Sequence, residues 1–106
     1  MRPMLDNERQ LAVPLTVGPG EAKDVARFSV DAVQFAGAFG DWRLTLEGTT
    51  DGTHWTALLV EVAEAAIHSM RHAPKFYRLR INAVAVGAAA DTPNVYLSGR
   101  DARRKH

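Results

Sequence analysis

The chain has 106 residues, a formal net charge of +1 and no cysteine, and its content is 46% hydrophobic and 24% charged. This composition is ordinary for one soluble globular domain. The absence of cysteine excludes disulfides, thiolate catalysis and Cys-ligated metal centres. No run of residues approaches the roughly 20 apolar positions of a membrane helix, so we expect no membrane partner.

The two ends of the chain are predicted to lie outside the folded body. Residues 1–10, MRPMLDNERQ, show no periodicity, carry charges of both signs and contain no apolar core of a secretion signal. They are interpreted as an N-terminal arm. Residues 100–106, RDARRKH, hold four Lys/Arg against one Asp/Glu and form a basic tail. We interpret this tail as a solvated terminus, with contact to phosphates or to an acidic neighbour as the alternative.

Alternation of apolar and polar residues, the period of a half-buried strand, dominates the segment between these ends. The predicted strands cover residues 11–17, 25–30, 33–39 with an interruption at Gly37, 41–48, 76–82 and 94–98. Pro14 cannot donate to a ladder, so the first of these is expected at a sheet edge. Glycine- and proline-rich turns separate the runs. The pattern predicts an all-β domain over residues 11–99, an antiparallel, jelly-roll-like β-sandwich.

Residues 61–72, EVAEAAIHSMRH, fit two structures. Their apolar residues recur at helical spacing, and alanine and glutamate favour helix. The segment also alternates as a strand, which we favour in an otherwise all-β chain. A helix would place Glu64, His68 and His72 on one face, at a spacing that can hold zinc. An extended backbone would separate them, so we favour a solvated polar face and expect no metal.

The sequence LEGTTDGTHW, residues 46–55, concentrates an acid, hydroxyls and an imidazole and raises the question of a ligand site. Asp51 and Gly52 between alternating strands are a strong hairpin signal, because glycine supplies the positive φ of such turns. The neighbouring threonine and aspartate side chains can bond local backbone. Trp55 is expected to resume the apolar face near Leu44 or Leu46. We therefore predict a hairpin rather than a site.

Catalytic patterns are missing from the sequence. It contains no GxSxG nucleophile turn, and neither GxxxxGK[ST] nor GxGxxG is present to cradle phosphates. The sequence predicts a non-enzymatic protein without catalytic residues or cofactors.

The hairpin and the later strand FYRLRI together resemble a pattern of the small β-sandwich proteins of tailed-bacteriophage virions. These include capsid decoration (cement) proteins and tail accessories, and a similar hairpin occurs in discoidin-like, galactose-binding-fold domains. The likeness covers about residues 28–98. The matching residues are Leu46, Glu47, Gly48, Asp51, Gly52, Trp55, Leu58, Tyr77 and Arg78. We interpret all of them as structural.

The resemblance implies a virion structural protein, a decoration protein on the capsid surface that is made in the host cytoplasm. Its expected partners are the major capsid protein and copies of itself in a homo-oligomer. The alternative is a carbohydrate-binding module of galactose-binding-like fold, for which Tyr96 is the one aromatic residue at an outward position. Nucleic-acid binding through Arg78, Arg80 and the tail is a third interpretation, which the near-neutral charge disfavours.

Overall fold

The computed structural model describes residues 8–70, 77–88 and 92–101, and these form strands with no helix. The strands are β1 (Glu8–Leu11), β2 (Gly18–Pro19), β3 (Lys23–Asp24), β4 (Phe28–Ala36), β5 (Arg43–Thr49), β6 (Thr56–Val62), β7 (Ala66–Ser69), β8 (Arg78–Ala85) and β9 (Asn94–Asp101). The prediction of an all-β antiparallel sandwich is confirmed.

Two antiparallel sheets make up the sandwich. Sheet A has the strand order β1-β9-β4-β7, and sheet B has the order β2-β8-β5-β6, with β3 also paired to β8. The chain passes from one sheet to the other six times, and from β6 onward every successive strand changes sheet. The edges of sheet A are β1 and β7, while β6 and the short strands β2 and β3 border sheet B.

The core follows from the alternation within the central strands. Each strand sends every second side chain inward, and the other side chains face outward. The buried residues include Val33 and Phe35 of β4, Leu44 and Leu46 of β5, Leu79 and Ile81 of β8, and Val95 and Leu97 of β9. Trp42, just before β5, is fully buried, as predicted for the first apolar position of that strand. The alternation therefore identified the inward face of all four strands.

The N-terminal boundary of the sandwich differs from the prediction. Residues 8–10 are not part of an arm, because they belong to β1, which pairs with β9 from Glu8 opposite Ser98 to Leu11 opposite Val95. This strand has only four residues, and the sequence on either side of it alternates poorly. The sequence pattern therefore did not predict it. Residues 1–7 of the predicted arm lie outside the described residues.

The strand predicted over residues 11–17 is wrong beyond Leu11. The chain leaves sheet A there, and Leu15 and Val17 are 62% and 69% exposed. Pro14 supplies the physical reason, since it has no N–H for a ladder. At the other end of the domain, β9 continues through Arg100 and Asp101, so the predicted tail begins two residues too early. Residues 102–106 lie outside the described residues.

The predicted strands over residues 25–30 and 33–39 are one strand that starts later. A turn holds the earlier residues: the Asp24 carboxylate accepts a hydrogen bond from the Ala26 N–H, and the Phe28 N–H donates to the Val25 carbonyl. From Phe28 the strand continues to Ala36 and contains a bulge near Asp31. The break predicted at Gly37 is the end of β4, where the glycine has φ 98°.

The ambiguous segment forms strand in two parts and no helix over the residues that the structure describes. β6 reaches Val62, and β7 covers Ala66–Ser69. The strand interpretation is confirmed there, and the helix is wrong for these residues. β6 itself is irregular: Glu61 has φ 50°, and its N–H donates to Thr45 Oγ1 over 3.0 Å.

Candidate functional site

The hairpin loop between β5 and β6 is organised by its own side chains. One Asp51 oxygen, Oδ1, accepts hydrogen bonds from the backbone N–H groups of Thr53 and His54, both at 2.8 Å. The Thr49 hydroxyl donates to the same Oδ1 over 3.0 Å and accepts from the Gly52 N–H over 3.0 Å. Gly52 has φ 82°, the conformation that the sequence predicted for it. The acid and the hydroxyl thus converge on the loop's own backbone.

His54 completes this loop as an exposed ion-pair partner. Its Nδ1 lies 2.7 Å from Asp51 Oδ2, and its side chain is 87% exposed. The hydrogen bond from His54, followed by the backbone N–H groups, lowers the pKa of Asp51 far below its usual range. The same pair raises the pKa of His54 above its ordinary value of 6.5, chiefly through the hydrogen bond to Asp51.

We predict a pH window for this loop. Because its pKa is lowered, the Asp51 carboxylate stabilises the folded loop fully above pH 3.8, its ordinary pKa. This stabilisation is lost as the pH falls through the lowered pKa. Because its pKa is raised, protonated His54 stabilises the folded loop fully below pH 6.5, its ordinary pKa. This stabilisation is lost as the pH rises through the raised pKa. The loop is therefore most ordered between these two ordinary values. An NMR titration of the imidazole is expected to show a raised pKa for His54.

The matched control for this titration is Asp51→Asn, which keeps an oxygen for the Thr53 and His54 N–H groups but removes the charge. In that variant the pKa of His54 is expected to return toward 6.5, while Glu64→Gln, at an exposed acid outside the loop, leaves it raised. A wild-type His54 that titrates at its ordinary value would contradict the pair.

A second cluster lies beside the loop, on the outer face of sheet B. Glu47 of β5 is directly opposite Arg80 of β8, and Arg80 Nε donates to Glu47 Oε1 over 2.7 Å. Asn82 Nδ2 donates to the other carboxylate oxygen over 3.3 Å. The Arg80 guanidinium also stacks on the Trp55 ring, 4.0 Å from its centroid. The side chains of Arg80 and Glu47 are only 22% and 15% exposed, so this is a half-buried, ordered pair.

The prediction that Trp55 resumes the apolar core face is wrong. The ladder between β5 and β6 resumes with Gly48 opposite Thr56, so residues 50–55 form the loop and Trp55 precedes β6. The ring is covered from outside by Arg80, whose side chain alternates with the buried Leu79 and Ile81. The alternation in the sequence does not show that the loop extends to Trp55. It therefore placed the Trp55 side chain on the wrong face of sheet B.

Arg78 and Tyr77 extend this cluster along β8. The Arg78 guanidinium lies 4.8 Å from the Tyr77 ring centroid, and its Nη2 donates to the Tyr77 hydroxyl over 3.1 Å. Arg78 Nε is buried and has no hydrogen-bond partner among the described residues. Tyr77 also borders the loop, because a Cβ on Gly52 would lie 3.6 Å from its ring. We name the cluster of Glu47, Trp55, Tyr77, Arg78, Arg80 and Asn82 the Arg–aromatic face.

The Arg–aromatic face bears on two of the sequence interpretations. Of the residues in the virion-protein pattern, Glu47, Trp55, Tyr77 and Arg78 come together here with Arg80, which the pattern did not include. The basic stripe of Arg78 and Arg80 is partly neutralised, since Glu47 holds Arg80. That arrangement weakens the nucleic-acid interpretation, in which both guanidinium groups bind phosphates.

The zinc arrangement of Glu64, His68 and His72 is not assembled in the described residues. His68 points inward from β7, with its ring edge against Phe35 at 5.7 Å between centroids. Its Nε2 is buried and makes no hydrogen bond within the described part of the chain. Glu64 is exposed in the link between β6 and β7, and His72 lies outside the described residues. No group of three or more His, Cys, Asp or Glu that could bind a metal occurs in residues 8–70, 77–88 and 92–101.

Comparisons with known proteins leave the family open. No family model matches the chain, and neither the curated proteins nor the solved structures contain a match. Over the described ranges, no helix has the length and apolar character to cross a membrane.

Proposed function

We propose that this chain is a structural protein of a tailed-bacteriophage virion, a capsid decoration protein that binds across capsid subunits at the head surface. The observation that carries the proposal is the location of the pattern residues. Trp55, Tyr77 and Arg78 lie on the outer surface of sheet B rather than in the core. Tryptophan, tyrosine and arginine are the residues that most often dominate protein–protein binding energy.

The order of the Arg–aromatic face supports a binding role. Both guanidinium groups are fixed on aromatic rings, and the Glu47 carboxylate holds Arg80 in place. Side chains that are ordered before binding lose little conformational entropy when a partner arrives.

The mechanism is summed surface binding by a non-enzymatic protein. Each copy contributes an interface of ordinary size with the major capsid protein. Copies that bridge neighbouring subunits, and that associate with one another, add their binding energies and oppose internal pressure in the head. This mechanism needs no cofactor and no catalytic residue.

Arg78→Ala tests the proposal against heads assembled from the major capsid protein of the same genome. The wild type is expected to co-sediment with the heads and to raise their resistance to heating. Arg78→Ala is expected to weaken binding at least about thirtyfold, because hot-spot substitutions cost about 2 kcal/mol or more. The matched control is Arg100→Ala on sheet A, whose exposed guanidinium lies 3.7 Å from Asp31; it is expected to bind normally. Wild-type protein that does not bind, or equal losses in both variants, would overturn the proposal.

The second candidate is a carbohydrate-binding module, which the outer face of sheet A favours. There Tyr96 lies between Gln34 of β4 and Gln10 of β1 in one cross-strand row. An aromatic ring flanked by neutral amides is suited to stacking on a sugar and bonding its hydroxyls. Glycan binding that disappears in Tyr96→Ala and persists in Arg78→Ala would select this candidate instead.

A further inference from the structure

The edge strand β7 differs from the other described edges of the sandwich. An exposed edge offers unpaired backbone groups to other chains, and proteins protect it with charges, proline or bulges. Charged residues occupy β1 and β3, Pro19 is half of β2, and β6 has a bulge at Glu61. None of these devices occurs in β7, whose sequence is AIHS.

The direction of the backbone groups of β7 follows from its pairing with β4. The Met70 N–H donates to the Asp31 carbonyl over 2.7 Å, so Met70 faces β4. In an antiparallel pair, residues face the partner alternately. His68 and Ala66 therefore also face β4, opposite Val33 and Phe35. The N–H and C=O groups of Ile67 and Ser69 point away, toward the open side.

Exposed apolar side chains accompany these outward backbone groups. Ile67 is 68% exposed on the outer face, opposite Gln34. Val60, on the neighbouring edge β6, is 64% exposed. Because only residues 63–65 connect β6 to β7, both edges lie on the same side of the sandwich. Backbone groups that have no strand partner among the described residues thus coincide with aliphatic side chains on one narrow surface.

We propose that β7 is a self-association edge, which pairs antiparallel with β7 of a second copy about a two-fold axis at Ile67. Ile67 then lies beside Ile67 of the second copy, and Ala65 lies opposite Ser69. Residues 65–69 carry no formal charge at neutral pH, so the pairing places no like charges opposite one another. A strongly charged partner would find no opposite charge on this edge. A second, identical neutral edge can pair with it without repulsion in a two-fold, isologous arrangement.

Pairing in this way joins two four-stranded sheets into one continuous sheet. The rows of Gln10, Tyr96, Gln34 and Ile67 in the two copies would meet across the axis. The paired segment is short, so we expect a dimer that forms with rising concentration rather than an obligate one. The inference supplies the self-association in the proposed function, but it depends only on the edge and not on the capsid.

Sedimentation velocity over a hundredfold range of concentration, about 1 to 100 µM, tests the edge. The wild type is expected to pass from monomer to dimer. Ile67→Lys places two positive charges together at the axis and is expected to remain monomeric throughout, with an unchanged melting temperature because the position is exposed. Leu15→Lys, at a similarly exposed leucine outside β7, is the matched control and is expected to dimerise as the wild type does. A monomeric wild type, or dimerisation of Ile67→Lys equal to the wild type, would overturn the inference.

Cysteine cross-linking tests the register independently, since the chain has no native cysteine. Under mild oxidation Ile67→Cys is expected to form disulfide-linked dimers much faster than Val17→Cys, an exposed position outside β7. Equal rates would reject the two-fold pairing at Ile67. Dimers that form normally while no copy binds heads would leave the edge intact and remove the proposed capsid function.

Discussion

Gly52→Val is expected to lower the free energy of unfolding by about 1–3 kcal/mol, because a β-branched side chain is forced into a left-handed backbone conformation. Gly52 has φ 82°, and its N–H is held by Thr49 Oγ1. Adding Asp51→Ala removes the acceptor for the Thr53 and His54 N–H groups and is expected to lower the stability further. Gly52→Val alone is expected to melt roughly 4–12 °C lower, at about 4 °C per kcal/mol, and the double variant lower still.

Two controls separate backbone conformation from general sensitivity of the loop. Gly52→Asn changes the same position to a residue that tolerates positive φ, and it is expected to cost clearly less than valine. Thr53→Ala alters an exposed side chain with no hydrogen bond in this network and is expected to change stability by less than about 0.5 kcal/mol. If Gly52→Val has the same melting temperature as the wild type, the stability of the turn does not depend on a glycine at this position.

The sequence predicted the parts of the fold that repeat with a period of two. Leu44 and Leu46, or Val95 and Leu97, are separated by polar residues, and a strand is the structure that buries both with one face. The turn at Asp51 and Gly52 was predictable for a related reason, since its requirement for positive φ is local. Fold class and most of the core residues can therefore be predicted from patterns that are local in sequence, although the contacts that form the core join distant strands.

Strand ends and outer-face contacts could not be predicted in this way. The strand β1 is held by pairing with β9, more than 80 residues later, and its own four residues give little signal. The phase of Trp55 depends on where β6 rejoins the ladder, which is a property of register. Glu47 and Arg80 lie 33 positions apart and meet only because β5 and β8 are neighbours. Opposite charges on two predicted outward faces were a usable signal, but only once that pairing was known.

Glu47→Ala is expected to lower the free energy of unfolding by about 2–3 kcal/mol. The substitution leaves the Arg80 Nε without its acceptor at 2.7 Å and removes the partner of Asn82. Breaking a fully buried ion pair by removing one member costs about 3–5 kcal/mol. The residual exposure of Arg80 lets water replace part of the lost interaction, which reduces the figure. Chemical denaturation monitored by the fluorescence of Trp55 and Trp42 measures the change.

Glu47→Gln and Arg80→Met complete a double-mutant cycle on this pair. Glutamine keeps an oxygen opposite Arg80, so its cost is expected to be about half that of alanine. Arg80→Met retains apolar cover over Trp55 but removes the charge, and in that background Glu47→Ala is expected to cost less than about 1 kcal/mol. An equal cost of Glu47→Ala in both backgrounds would mean that Glu47 stabilises sheet B through a contact other than Arg80. The Arg–aromatic face would then lose the carboxylate that holds its guanidinium in place, and with it the argument that this surface is ordered before a partner binds.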